Sequence, residues 1–250
     1  MTLFMQVVTR HYNMASKKDV QLYCAWFCPF AQRAWVALLE KNVDFEYIET
    51  DPYNKTPEFL AVNPRGLVPA VIHKGRAIYE SSICVEYIDE VWQNEPHLLP
   101  TEPYERAVAR IWVDFIGKKI IPVYYRIVQK QDKEEQDQAK EEFLKNLETL
   151  TEAISETGPY FFGENFTIVD IILASYTLRL NVLEFYRNFE IPNDSRFARF
   201  FKWREAAEAR PSIKATAPDS EKILARYIHY AQNTAQSEVA DAIRKGTAFP

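Results

Sequence analysis

Cysteine, methionine, glycine and histidine are all scarce in this chain of 250 residues, which holds three, three, six and four of them. Two of the cysteines, Cys24 and Cys28, lie close together and the third, Cys84, is distant. That pattern is neither a disulfide framework nor a zinc spacing, and it fits a reducing, cytosolic compartment. His11, His73, His97 and His229 show no ligand spacing, so no metal is expected. Positive charge is not in excess: 30 lysines and arginines face 35 acidic residues, for a net charge of -5. The basic residues form no long cluster, which argues against a nucleic-acid partner. Charged residues interrupt every apolar stretch before it reaches the roughly 18 residues of a spanning helix, so no membrane partner is expected. The opening segment puts Leu3-Phe4-Met5 ahead of Arg10, His11, Lys17 and Lys18, the reverse of a secretory layout, and no signal peptide is read there.

Apolar and aromatic side chains, by contrast, are plentiful at 47% and 14% of the chain. The length leans towards two domains. Residues 20–99 switch period about every dozen residues. Val20-Gln21-Leu22-Tyr23-Cys24 is strand-like, Ala31 to Lys41 carries Ala34, Ala37 and Leu38 on one helical face, and Phe45 to Glu49 alternates with period two. Pro57 to Val62 is a short helical segment. Val68 to Ile72 and Ala77-Ile78-Tyr79 flank a Lys74-Gly75-Arg76 turn, and a helix follows from Ser81 to about Trp92. The order βαβαββα describes a compact α/β domain, preceded by an extension over residues 1–19.

Past Leu98-Leu99-Pro100 only helical periods remain, so an all-helical domain is expected over residues 104–250. Val108, Ile111, Trp112 and Phe115 form one apolar stripe, and Phe143, Leu147, Leu150 and Ile154 form another. Pro122 should kink or interrupt the first of these helices. The polar run from Gln129 to Glu142 has mixed signs and reads as solvated surface. Thr167-Ile168-Val169-Asp170 reads as a capping box opening an apolar stretch that runs to Phe185.

The chemistry-bearing segment is Cys28-Pro29-Phe30-Ala31-Gln32-Arg33, directly after the first strand. Pro29 suits the first turn of a helix, which puts Cys28 at a helix N-terminus. Unpaired N–H groups and the positive end of the helix dipole favour a thiolate there, and such settings can lower a cysteine pKa from ~8.5 towards ~7. Cys24, four residues earlier, is not the two-spacer redox partner of Cys28. Cys24 and Cys84 are expected to be packed and inert, leaving a one-thiol mechanism.

Three motifs in register, Cys28 to Arg33, Asn63-Pro64-Arg65-Gly66-Leu67-Val68-Pro69 and Tyr79-Glu80-Ser81-Ser82, followed by a helical domain, resemble a cytosolic glutathione transferase, and the omega class most of all. The resemblance implies a thioredoxin-like α/β N-terminal domain, an all-α C-terminal domain and glutathione as co-substrate. It further implies a cis Pro69, a Val68 backbone that pairs with the cysteinyl part of glutathione, and Phe30, Lys55, Glu80 and Ser81 as further glutathione contacts. Glu80 and Ser81 would take the γ-glutamyl group and Lys55 the glycyl carboxylate. An acceptor pocket would lie between the domains, with Tyr176, Arg179, Tyr227 and Tyr230 as its candidates. Omega relatives often carry a tryptophan near Leu224, so acceptor preference is expected to differ.

Most members of that family put a Tyr or Ser hydroxyl where Cys28 stands. The resemblance thus implies thiol transfer and reduction through a Cys28–glutathione mixed disulfide, acting on glutathione mixed disulfides, disulfides and dehydroascorbate, with weak conjugation and a homodimeric assembly. Two other readings stay open: a non-catalytic carrier of hydrophobic or phenolic ligands on the same fold, and an intracellular chloride-channel-like protein, which shares the cysteine-proline-phenylalanine motif.

Overall fold

The computed structural model describes residues 18–248, so all but the last two residues of the assigned extension lie outside the described residues. The chain divides into two compact units, one ending at Leu99 and the other beginning at Pro100.

In the first unit the order is β1 (Val20–Cys24), α1 (Pro29–Glu40), β2 (Glu46–Glu49), α2 (Pro57–Val62), β3 (Ala70–His73), β4 (Arg76–Tyr79) and α3 (Ser81–Val91). The sheet runs β2-β1-β3-β4, with β1 parallel to β2 and antiparallel to β3. All five residues of β1 are buried, as a central strand covered on both faces requires. Lys74 and Gly75 adopt φ of 49° and 71°, the two left-handed positions of a tight hairpin turn between β3 and β4. Helices α1 and α3 pack on each other, and Phe59 of α2 stacks on Tyr23 of β1 at 5.7 Å.

The end of this unit is tied back to it by one buried carboxylate. Asp89 pairs with Lys41 at 2.7 Å and accepts from the amides of Leu98 and Leu99 at 2.8 and 3.0 Å. The Lys41 ammonium also donates to the Asn94 carbonyl at 2.7 Å. Such a pair holds because its remaining hydrogen-bond capacity is filled.

The second unit is helical: α4 (Pro103–Phe115), a π-helical turn (Ile116–Ile120), α5 (Ile121–Gln129), α6 (Lys133–Ala153), α7 (Ile168–Thr177), α8 (Leu180–Arg187), α9 (Ala198–Ala209), α10 (Pro211–Thr216), α11 (Ser220–Ala231) and α12 (Glu238–Lys245). Pro122 sits in the first turn of α5, just after the π turn. The wider turn accommodates a residue that lacks an N–H and would crowd the carbonyl one turn earlier.

Three expectations need correction. Ile111 does not join the buried stripe of α4 but is 63% exposed, and Ala109 is the buried residue of that helix. Gln129 is not solvated: it ends α5 in the interior, and its Nε2 donates to the Ala240 carbonyl at 2.8 Å and to Asn233 Oδ1 at 3.0 Å. The apolar stretch after Thr167 is two helices. In the last turn of α7 the Ser175 and Thr177 hydroxyls donate to the carbonyls of Ile172 and Ala174, and the Arg179 guanidinium donates to that of Ser175. Side-chain bonds of this kind compete with helix propagation.

The capping box at Thr167 is present, and its Asp170 does more than cap. The fully buried carboxylate accepts from the amides of Thr167 and Phe161, both at 2.8 Å, from Thr167 Oγ1 at 3.1 Å and from Trp203 Nε1 at 2.7 Å. Burial lifts this carboxyl above the ordinary aspartate range, and the four donors pull it back.

Two outcomes follow. Asp170→Ala strands several buried donors and should cost roughly 3–5 kcal/mol, a fall in Tm on the order of 10 °C by calorimetry. His73 is buried against Trp92 at 4.9 Å and its Nδ1 meets Tyr87 Oη at 2.8 Å. Burial, aided by Lys74 and Arg76 and opposed by Asp19, holds its imidazole below the ordinary 6.5. The unfolded chain therefore takes up the proton first, and stability present above pH 6.5 should be lost as pH falls through and below that value. Denaturant titrations across this window should show the loss in the parent and a flatter profile in His73→Gln.

Candidate active site

The site is built at the end of β1. The last residue of the strand, Cys24, is buried, and the chain turns so that the Cys28 amide donates to the Ala25 carbonyl at 2.9 Å. Cys28 is the N-cap of α1, Pro29 fills the first helical turn, and the Gln32 amide closes the first helical bond on the Cys28 carbonyl at 3.1 Å. The thiol is in no disulfide and is half-buried, and its Sγ lies 4.0 Å from the Val68 carbonyl oxygen. The Val68–Pro69 bond is cis, as the resemblance implies.

The loop that carries Val68 is shaped by the buried Asn63. Its Nδ2 donates to the Leu67 carbonyl at 2.7 Å and its Oδ1 accepts from the Arg65 amide at 3.1 Å. Gly66 has φ of 62°, and the aliphatic stem of Lys55 lies where a Cβ would stand. The exposed Lys55 ammonium donates to the Arg65 carbonyl at 2.8 Å.

The third segment is the start of α3. Glu80, its N-cap, has φ of 73°, a region that side chains other than glycine occupy at a cost. Its carboxylate accepts from Arg65 Nη1 at 2.7 Å. Ser81 Oγ accepts from Arg33 Nη1 at 2.9 Å, and the Arg33 guanidinium lies 4.7 Å above the Phe30 ring. The structure thus brings Cys28 to Val68, links Lys55 and Glu80 through Arg65, and links Phe30 and Ser81 through Arg33.

Asn63, Arg65 and Arg33 received no role from the sequence. For Arg33 a signal existed, since it stands one helical turn after Phe30 and must share its face. Nothing in the sequence pairs Arg65 with Glu80. The other two thiols are placed apart from this chemistry. Burial pushes both Cys24 and Cys84 well above the ordinary thiol range. Cys24 also shares a hydrogen bond with Tyr47, and Cys84 Sγ lies 3.6 Å from the Ile78 carbonyl oxygen.

The four residues assigned to an acceptor pocket lie together in the second unit, largely inside its core. Tyr176, Tyr227 and Arg179 are buried, Arg179 completely. Tyr230 is half-buried, and its hydroxyl meets Ser237 Oγ at 2.8 Å. Tyr124 and Tyr125, which the sequence did not single out, complete the cluster: Tyr124 Oη donates to the Arg179 carbonyl at 2.9 Å, and Tyr125 stacks on Tyr227 at 6.4 Å. Among the described residues, no group of three or more His, Cys, Asp or Glu side chains is placed to hold a metal ion, and no helix is long and apolar enough to cross a membrane.

Residues 27–91 match the glutathione S-transferase N-terminal domain and residues 133–206 the glutathione S-transferase C-terminal domain. The chain is 39% identical over 206 residues to glutathione S-transferase U19 of Arabidopsis thaliana, covering 82% of this chain and 92% of the relative. Among solved structures it is similar to glutathione transferase Omega 3C from Trametes versicolor, with 38% identity, a TM-score of 0.78 and coverage of 90% and 95%. It is also similar to a Tau class glutathione S-transferase from mango, Mangifera indica, with 31% identity, a TM-score of 0.80 and coverage of 86% and 100%.

Gly66→Ala should cost about 1–2 kcal/mol in a denaturant titration, because alanine is strained at this φ. In a crystal structure of the variant the Lys55 ammonium should have left the Arg65 carbonyl.

Proposed function

The chain belongs to the glutathione S-transferase family, and from that premise we propose that it is a glutathione-dependent thiol transferase of the omega type, with Cys28 as the sulfur that carries the exchange. The observation that carries this reading is the half-buried, disulfide-free position of Cys28 at the N-cap of α1. A serine or tyrosine at such a position donates a hydrogen bond to the glutathione thiolate and leaves it free to attack electrophiles. A cysteine is a poor donor and a good nucleophile, and the helix N-terminus favours its thiolate form.

In the proposed cycle the Cys28 thiolate attacks the glutathione sulfur of a mixed disulfide. A Cys28–glutathione disulfide forms and the acceptor thiolate leaves, taking a proton from water. A second glutathione thiolate then attacks the glutathione sulfur of that intermediate, releasing oxidised glutathione and restoring Cys28. The same two electrons from two glutathione molecules reduce simple disulfides or dehydroascorbate. Lys55 takes the glycyl carboxylate, the Val68 backbone the cysteinyl portion, and Glu80 and Ser81 the γ-glutamyl ammonium and carboxylate. Phe30 and Pro69 shape the wall, Tyr230 is the acceptor-side candidate with surface to offer, and the assembly is a homodimer in the cytosol.

Conjugation is the second reading, favoured by the names of the plant relatives, which are glutathione S-transferases. On a cysteine template it would be the weaker activity. A carrier role alone leaves an intact Cys28 without use.

Mass spectrometry after brief treatment with oxidised glutathione, followed by steady-state reduction of hydroxyethyl disulfide, separates these readings. The parent protein should carry one glutathione adduct and turn over. Cys28→Ser should lose the adduct, lose at least about 100-fold in reductase kcat/KM, and gain conjugation of chlorodinitrobenzene. Reduction retained in the serine variant would overturn the assignment of Cys28.

A further inference from the structure

The α3 start has two features that the proposed cycle does not use. The side chain of its N-cap, Glu80, makes no capping bond to the helix, because it is turned to Arg65. The orphan amides and positive dipole end of an eleven-residue helix are therefore not satisfied by their own N-cap side chain. The second feature is Arg33, a buried guanidinium one hydrogen bond from Ser81 and stacked over Phe30, two residues after Cys28. A hydroxyl has one proton and two lone pairs. With Arg33 donating into Ser81 Oγ, a lone pair is occupied and the serine proton is left to donate.

We propose that Arg33 is a positioning residue for the ligand carboxylate at the start of α3: it fixes the Ser81 hydroxyl as a donor and adds a buried positive charge beside the uncapped helix end. This rests on the reading that glutathione is the ligand and that its γ-glutamyl α-carboxylate docks here. Through the stack on Phe30, the same side chain braces the anion site against the helix that presents the nucleophile. Lysine cannot replace it fully, since a point charge on a flexible stem neither forks nor stacks as a guanidinium does.

The test uses two ligands, glutathione and its 4-aminobutanoyl analogue, which lacks only the α-carboxylate, with the parent protein, Arg33→Gln, Arg33→Lys and Ser81→Ala. The parent should prefer glutathione. Arg33→Gln should raise KM for glutathione roughly 10- to 100-fold and leave KM for the analogue within about twofold, with kcat at saturation little changed. Arg33→Lys should fall between, and Arg33→Gln should cost much less on the Ser81→Ala background. Equal losses for both ligands would assign Arg33 to folding alone and overturn the proposal, as would undiminished preference in Arg33→Gln. If the Gln variant does not fold, undiminished preference in Arg33→Lys and full additivity with Ser81→Ala overturn it equally. A parent protein that binds neither ligand overturns the glutathione reading and this inference with it, whereas a parent that prefers glutathione leaves a failure here confined to Arg33.

Discussion

Burial of β1 is the constraint on which the first unit depends. All five of its residues are buried, so the strand can present chemistry only past its end, where the chain leaves the sheet. Cys24 is the last residue of the strand and is buried with it, and Cys28 falls beyond its end. The Ala25–Cys28 turn and the proline that follows convert a four-residue difference in sequence into the difference between a masked thiol and an accessible one. The loop at Val68 meets the thiol because β3, which follows it, pairs with β1, and β4, which leads into α3, pairs in turn with β3.

The second unit solves a different problem, the orphan groups at many short helices' ends. Long side chains from other helices do much of this work. Arg187 donates to the carbonyls of Ile127 and Val128 at the end of α5 and of Ala231 at the end of α11. Arg199 donates to those of Ser155 and Gly158 between α6 and α7. Asp170 does the converse for amides, at the cost of holding a carboxylate in the interior. Each of these groups gathers partners from separate stretches of chain, so the connections are fixed as firmly as the helices.

Much of this was legible from sequence because it is local. The βαβαββα order, the Lys74-Gly75 hairpin, the Cys28-Pro29 helix start and the Thr167–Asp170 box each lie within a few residues, where period, turn chemistry and capping decide the outcome. The failures share a cause. Ile111 belongs to a clear apolar stripe and Gln129 to a polar run, yet which face of α4 is covered and which chain end meets the end of α5 are decided by helices far along the chain. The pairings of Arg65 with Glu80 and of Arg33 with Ser81 were invisible for the same reason: the partners are 15 and 48 residues apart. The acceptor-side tyrosines were selected by position, and position does not reveal that most of them are spent on one another.

The masking of Cys24 carries a consequence for bookkeeping in the cell. A thiol held protonated inside the sheet cannot displace whatever becomes bonded to Cys28, and Cys84 is buried as deeply. With both other thiols of the chain buried, none is placed to form an internal bridge, and a disulfide at Cys28 can be opened only by a thiol arriving from solution. On the reading proposed for Cys28, the protein is a single-site electrode, whose charged fraction follows the ratio of reduced to oxidised small thiols around it and stores no record of its own.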